Sequence, residues 1–508
     1  MVKTGLKIPG LIFGVAALSV LTAWLSPGAF WRGFGASFLL IGGSALALFW
    51  LWRGMGGGRM LAVWMTLAFV LRLGLGLFFS IAYPLWGYDE PEYNAGYVFR
   101  DAYHRDREAY EVALSGERLL FNPSLKLGSD QYGGLGMISA LVYRTLSADA
   151  HRPALVLILG ALFFALGVPF LYRAAQARLS EGAAQVAVWI YLLYPDGLFF
   201  TASQMREPFM LGLLCVGLWL VLRWRERPRA AVTAGLLALA GMLFISTRSA
   251  VFAAGILILL AWLEFTARHP GRGWKALGWI GILLAGGVAF VLTWGWFREA
   301  AVYDRVLTLR ASGRLAAFIA DVGERYIVPT IVGYGLAQPV FPAALVEPAI
   351  PLAKIVILLR SAGWYALAPL LVYSLLAGWR TSKEEDRRLI LWAAGAFWAW
   401  ALISALRGGG DMTDNPRYRL LLLPLAGLAV GWALDFARRT ADRWLWRILA
   451  VEGIFLAVFL QWYLSRYLHL GGRLSLPAMG ALIAGLSALV LVGGWVYDRV
   501  RPPRPSGG

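Results

Sequence analysis

Asp89, Glu90 and Glu92 place three carboxylates within four positions, in the run Gly87-Tyr88-Asp89-Glu90-Pro91-Glu92-Tyr93. The run follows a long apolar stretch, so these groups stand where a chain would leave a membrane. Ionisable groups at that depth are costly to hold and therefore point to function. An apolar boundary penalises the charged form of a carboxylate, which suits a general base. Two such groups could also share a divalent cation through oxygen ligands. The competing account is local: Asp89 followed by Glu92 matches a capping box for a helix over 91–105. Residue types alone leave both accounts open.

Further polar groups recur at the ends of apolar runs. Tyr194-Pro195-Asp196 precedes Ser203-Gln204-Met205-Arg206-Glu207-Pro208. Glu207 is either a first-turn acid favoured by the helix dipole and paired with Arg206, or a second acid beside a phosphate-binding Arg. Arg248 is wedged between apolar runs in Thr247-Arg248-Ser249, and Arg417 and Arg419 open the run after Asp414. One Arg in such a place could snorkel to headgroups. Several on one face suit an anionic lipid phosphate, which Arg grips bidentately. Asp130 and Tyr132 either line the same cavity or cap the helix that follows them. His104 and His151 read as surface or capping residues. No Walker, HExxH or GxSxG pattern occurs, so a nucleotide cofactor, ATP-driven transport and the common hydrolase plans lack support.

The elements that must position these groups are membrane spans. Of 508 residues, 59% are apolar and 15% charged, against about a quarter charged in soluble domains. Runs of about 20 apolar residues can cross the hydrocarbon layer as helices. Such runs lie near 9–26, 34–52, 60–83, 152–174, 182–199, 205–224 and 229–246. Others lie near 249–267, 274–295, 361–379, 389–406, 418–437, 446–464 and 476–496, about fourteen in all. The first reads as an uncleaved anchor. The net charge of +18 gathers in short Lys/Arg clusters on alternate loops, which argues for topology and lipid contact and against nucleic acid. That alternation places both termini in the cytoplasm. A single Cys excludes an intrachain disulfide.

Two loops then face outward, near 84–151 and 296–360, each with a helix expected along the interface, at 133–146 and 351–360. The expected division is 1–58 as two extra N-terminal helices, 59–295 as a catalytic membrane core, 296–360 as a second outer loop and 361–508 as C-terminal spans. The expectation is an all-α polytopic protein without a sizeable soluble domain.

This layout resembles the GT-C superfamily of integral membrane glycosyltransferases, which includes protein O-mannosyltransferases and lipid A aminoarabinose transferases. The likeness rests on YDEPEY at 88–93, the helix at 133–146, LLYPD at 192–196 and SQMREP at 203–208, with RYRLLLLP at 417–424 resembling a late segment. It covers about 60–250 closely and the remainder loosely. The resemblance implies transfer of a sugar, with inversion, from a polyprenyl-phosphate donor to a glycan, lipid or protein acceptor on the extracytoplasmic face. An archaeal, bacterial or organellar membrane would fit, and the lack of a sizeable soluble domain favours a prokaryotic plasma membrane. It makes Asp89 the base, Glu90 its neighbour and Glu207 a second acid. Arg206, Arg248 and Arg419 become candidates for the donor phosphate, with Arg417, Asp130 and Tyr132 as further substrate contacts. Some members use a divalent metal (Mg, Mn or Zn), for which Glu92 and His104 are the candidates here. Two departures stand out. The acidic loop follows the third span rather than the first, making 9–52 an addition, and Asp130-Gln131-Tyr132-Gly133 replaces a Tyr-Pro-Pro. A polysaccharide polymerase or ligase, which would lean on Arg and His in the long second loop, is the alternative enzyme; 296–360 holds several Arg but no His. A lipid-linked sugar flippase would require inverted repeats and helices broken at matching positions, and the sequence shows neither.

Overall fold

A computed structural model describes residues 8–119, 133–223, 228–267, 319–320, 323–409, 411 and 414–500, with scattered positions between 271 and 294. Every regular element among these is helical. Eight helices are long and apolar enough to cross a membrane, or nine if one bent pair counts as a span. Large apolar side chains cover their outer faces; Leu489 and Val492 are 71% and 59% exposed on Leu476–Val500. Only lipid can cover such surface at low cost, so the chain is an integral membrane protein. The fourteen expected spans are not reached among the described residues. Ile8–Trp24 and Pro228–Ile245 carry shorter apolar segments, and most of 285–318 lies outside the described residues.

The chain forms two compact units. The first comprises residues up to 178 together with 188–261. Its helices are α1 (Ile8–Trp24), α2 (Phe30–Gly54), α3 (Arg59–Trp86), α4 (Pro91–Asn94), α5 (Arg100–Ser115), α6 (Gly133–Leu146) and α7 (Ala154–Gln176). They are followed by the end of α8 (Glu181–Leu193), then α9 (Pro195–Thr201), α10 (Glu207–Arg223), α11 (Pro228–Ile245) and most of α12 (Thr247–Thr266). Helix α7 is the hub, packed against α2, α3 and α10. Its contact with α10 runs through glycine: a Cβ on Gly167 would stand 2.9 Å from Gly212 Cα, and one on Gly212 would strike the Phe163 carbonyl. Without a hydrophobic drive between helices in lipid, such close backbone approach supplies the association.

Helices α8 and α9 meet at a 51° bend. Pro195 has no N–H to continue the helix, so carbonyls before it are freed at membrane depth. Arg72, 1% exposed on α3, answers them. Its Nη2 donates to Leu192 O at 2.7 Å, its Nε donates to Thr201 Oγ1 at 3.2 Å, and its guanidinium lies over the Phe164 ring.

The second unit comprises 179–187 and 262–508. Its principal helices are α13 (Ile327–Ala337), α14 (Phe341–Val346), α15 (Pro351–Arg380), α16 (Glu384–Gly408), α17 (Asp414–Leu420), α18 (Leu423–Thr440), α19 (Arg443–Tyr467) and α20 (Leu476–Val500). The C-terminal carbonyls of α13 are capped from other helices. Asn415 Nδ2 donates to Gly335 O, Trp364 Nε1 to Leu336 O, Tyr365 Oη to Ala337 O and Arg419 Nη2 to Gln338 O.

Three expectations are corrected. Residues 351–360 do not form a separate interfacial helix but continue unbroken into a 30-residue α15. The span placed at 418–437 begins at Leu423, after a break that separates it from α17. The helix expected over 91–105 is two helices, α4 and α5, parted at Ala95–Phe99. The helix expected at 133–146 is α6, with those bounds.

Candidate active site

In the first unit the acidic turn forms where α3 ends. Gly87 closes α3 in extended backbone, and its N–H donates to Tyr83 O at 2.8 Å. Asp89 and Glu90 are exposed. Asp89 is not a cap: the cap position of α4 is Glu90, which makes no side-chain capping bond. Asn94 Nδ2 instead donates to Asp89 Oδ1 at 2.8 Å and steadies the carboxylate. Glu92 is buried beneath the turn. Tyr93 stacks on Tyr83 of α3 with ring centroids 4.9 Å apart, and Gly96, with φ +78°, passes so close to Ser80 that a Cβ would clash with its backbone.

Behind the turn lies a buried polar wall. Phe99, just before α5, stacks on Phe200 of α9 at 4.6 Å, while Phe199 packs on Phe79 of α3. These ring pairs fix the bent α8–α9 segment and the stretch from Ala202 to Glu207. Ser203, Gln204, Arg206 and Glu207 are all buried, as is Asp196. Glu207 occupies the first turn of α10, and its Oε1 lies 3.4 Å from Arg206 Nε. Arg206 Nη1 donates to Ser246 Oγ at 3.2 Å, at the junction of α11 and α12. Arg248 is the second residue of α12. The paired reading of Arg206 and Glu207 therefore holds, and it leaves the Arg206 guanidinium inside the wall.

Sequence reasoning missed the centre of that wall. Asp106 is fully buried on α5. Its Oδ2 accepts from Tyr97 Oη at 2.8 Å and Tyr143 Oη at 2.7 Å, and lies 3.0 Å from His151 Nε2. Its Oδ1 stands 3.5 Å from Arg105 Nη2. Burial would raise this carboxyl, but the His151 hydrogen bond, the Arg105 charge and the Tyr143 hydroxyl together hold it below the ordinary carboxylate value. Burial and the Asp106 charge push the Tyr97 and Tyr143 hydroxyls well above theirs. Arg105 also donates to Ser139 Oγ at 3.0 Å and to Gln204 O at 2.5 Å, so the cluster ties α5 and α6 to the SQMREP segment. His151, read from sequence as a surface or capping residue, is stacked on Tyr110 with centroids 4.5 Å apart.

The remaining candidates are dispersed. His104 is exposed on α5, where Arg100 Nε donates to its Nε2 at 3.4 Å. Among the described residues no three His, Cys, Asp or Glu side chains gather as a metal site. Arg417 and Arg419 are buried in the second unit, where Arg419 also lies over the Trp364 ring. Asp130 and Tyr132 lie outside the described residues.

No family model matches the chain, and no curated protein does. Among solved structures it is similar to the archaeal oligosaccharyltransferase AglB from Archaeoglobus fulgidus, in complex with an inhibitory peptide and a dolichol-phosphate. That likeness has 13% identity and a TM-score of 0.35, over 87% of this chain and 56% of that one. The Archaeoglobus fulgidus oligosaccharyltransferase in the apo form gives 14% identity and a TM-score of 0.34, over 85% and 55%. The chain thus spans little more than half the length of these neighbours. None of the comparisons singles out a member of the superfamily that the motifs resemble.

Proposed function

We propose that this chain is a membrane glycosyltransferase that moves a sugar from a polyprenyl-phosphate donor to an acceptor on the extracytoplasmic face. The observation that carries the reading is Asp89, an exposed carboxylate steadied by Asn94 at the exit of α3. It belongs to the same compact unit as Arg206, buried just before α10. In the proposed reaction Asp89 takes the proton from the acceptor nucleophile as that atom attacks the anomeric carbon. The bond to the lipid phosphate breaks, configuration inverts, and the leaving phosphate gains negative charge. A guanidinium in a low-dielectric wall stabilises such developing charge strongly. Arg206 is the first candidate for that role; Arg248, Arg417 and Arg419 are further ones. Glu90 and Glu207 are proposed as neighbouring acids, and Asp130 and Tyr132 as substrate contacts. Glu92 and His104 are the proposed holders of any divalent cation, although the pair falls short of a full ligand set. The acceptor is left as a glycan, lipid or protein.

Purified protein offered a panel of radiolabelled polyprenyl-phosphate sugars together with glycan, lipid and peptide acceptors tests this directly. Wild type is expected to release lipid phosphate, and Asp89→Asn, folded to the same melting temperature, to be slowed about 10²–10⁴-fold, the usual worth of a general base. Equal turnover by both proteins removes Asp89 from the chemistry and favours the polymerase or ligase reading. If neither uses any donor while lipid crosses liposome bilayers, the enzyme reading fails.

A further inference from the structure

Helix α2 packs along α1 and α7 but barely touches α3 beyond their connecting turn. The gap is an apolar crevice of about 320 Å³, within the range of small-molecule sites. Leu11 and Leu18 of α1, Ile41 and Leu48 of α2, and Met65 and Phe69 of α3 line it, and among its lining residues only Thr66 and Trp52 carry polar side-chain atoms. Lining positions on α2 run from Ile41 to Trp52. At 1.5 Å rise per residue that is about 16 Å, or roughly half of a 30 Å hydrocarbon layer. The crevice therefore has the depth of one leaflet, at the end of the unit opposite the acidic turn. Its α1 wall is open towards the mouth: a Cβ added to Gly10 or Gly14 meets nothing within 4 Å.

Charge marks the mouth. Arg53 follows Trp52 directly, Arg59 begins α3, and both are exposed. Trp52 Nε1 donates to Gly58 O at 2.9 Å, which pins the indole at the crevice rim across the turn carrying both cations. No acidic residue lies between Phe30 and Trp86. An apolar slot one leaflet deep, capped by two exposed guanidinium groups, fits one lipid class. We infer that the α1–α2–α3 crevice binds an anionic membrane phospholipid, one acyl chain lying in the slot and its phosphate meeting Arg53 and Arg59. The site is independent of the proposed transfer reaction and lies outside its machinery.

Native mass spectrometry of the detergent-purified full chain, equilibrated with phosphatidylglycerol or phosphatidylcholine, tests the assignment. Wild type is expected to retain one phosphatidylglycerol at occupancy at least tenfold above phosphatidylcholine. Arg53→Gln with Arg59→Gln should abolish that preference, and Gly14→Phe, which fills the slot, should abolish retention. A photoactivatable acyl-chain phosphatidylglycerol should crosslink in wild type to peptides covering 10–18, 41–52 and 62–70, which guards against misfolding of the variants. Equal retention of the two lipids, retention unchanged in Gly14→Phe, or crosslinks confined to other helices would each overturn the site.

Discussion

Asp106 shows how far one residue can reach. It accepts from two tyrosines, meets His151 and faces Arg105, which in turn holds Gln204 two positions before Arg206. We expect Asp106→Asn to lower stability by roughly 3 kcal/mol, because removing one partner leaves a buried cation uncompensated. The fall would be read as a lower melting temperature in detergent, and Arg105→Gln added to it should recover part of the loss. A carboxyl held below its ordinary value contributes stability that is complete above about pH 4 and disappears as pH falls through the folded value. Acid loosening in that window should therefore be weaker in Asp106→Asn than in wild type. Part of this centre was legible. Ala102, Arg105, Asp106, Ala109, Val112 and Ala113 repeat at helical spacing and form the buried stripe of α5, so two charges fell on an apolar face. The partners were not legible, because Tyr97, Tyr143 and His151 come from separate elements and nothing local pairs them. The contact made by Asp89 is local by contrast, since Asn94, which donates to its Oδ1, stands five residues on.

At the scale of elements, the broken α8–α9 pair depends on a side chain more than a hundred positions earlier. Pro195 announces the break, but Arg72 sits in an apolar run where sequence offers no reason to expect it inside. Its donors answer Leu192 and Thr201. Arg72→Leu keeps the hydrophobic pattern of α3 and leaves that carbonyl unsatisfied in a region without water, so we expect a loss of about 3 kcal/mol. Arg72→Lys should fall between, since an ammonium supplies charge but not two fixed donor directions. Thermal unfolding of the three proteins in one detergent measures this, and a leucine variant as stable as wild type would remove the capping role. Element boundaries failed in the sequence reading where hydropathy alone was followed. The run 351–360, which carries Lys354 and Arg360, reads from sequence as a segment too short to span and separate from the one after it. The backbone continues through both as one helix, with the Lys354 ammonium turned back to the Leu345 and Glu347 carbonyls. Leu421 and Leu422 have the opposite history, apolar residues at which the helix nevertheless breaks.

For the whole molecule the open quantity is orientation, since the proposed chemistry needs Asp89 outside. In the first unit Arg53, Arg59, Arg173 and Arg178 gather at one end, where Arg173 donates to Met55 O, and in the second unit Arg380, Lys383, Arg438, Arg439 and Arg443 stand on two neighbouring turns. Ion pairs tie the basic turns of the second unit, Arg447 to Asp498 at 2.6 Å and Arg380 to Asp442 at 2.7 Å. The acidic turn at 88–92 follows the opposite end of α3. Short loops rich in Lys and Arg favour the cytoplasm, so the orientation we expect has Asp89 on the far side. The only native thiol, Cys215, is buried, so Cys215→Ser gives a silent background for accessibility mapping. In intact cells an impermeant maleimide should label Glu117→Cys and Arg473→Cys, whereas Ser382→Cys and Arg439→Cys should react only after permeabilisation. The reverse pattern would bring the acidic turn to the cytoplasm and leave it facing the wrong pool of lipid-linked sugar. Labelling of 117 and 439 from the same side would mean that the number of crossings between them is even where alternation requires it to be odd. The membrane path of α8 and α9 would then be the first place to look, because a bend of 51° admits a re-entrant turn as well as a crossing.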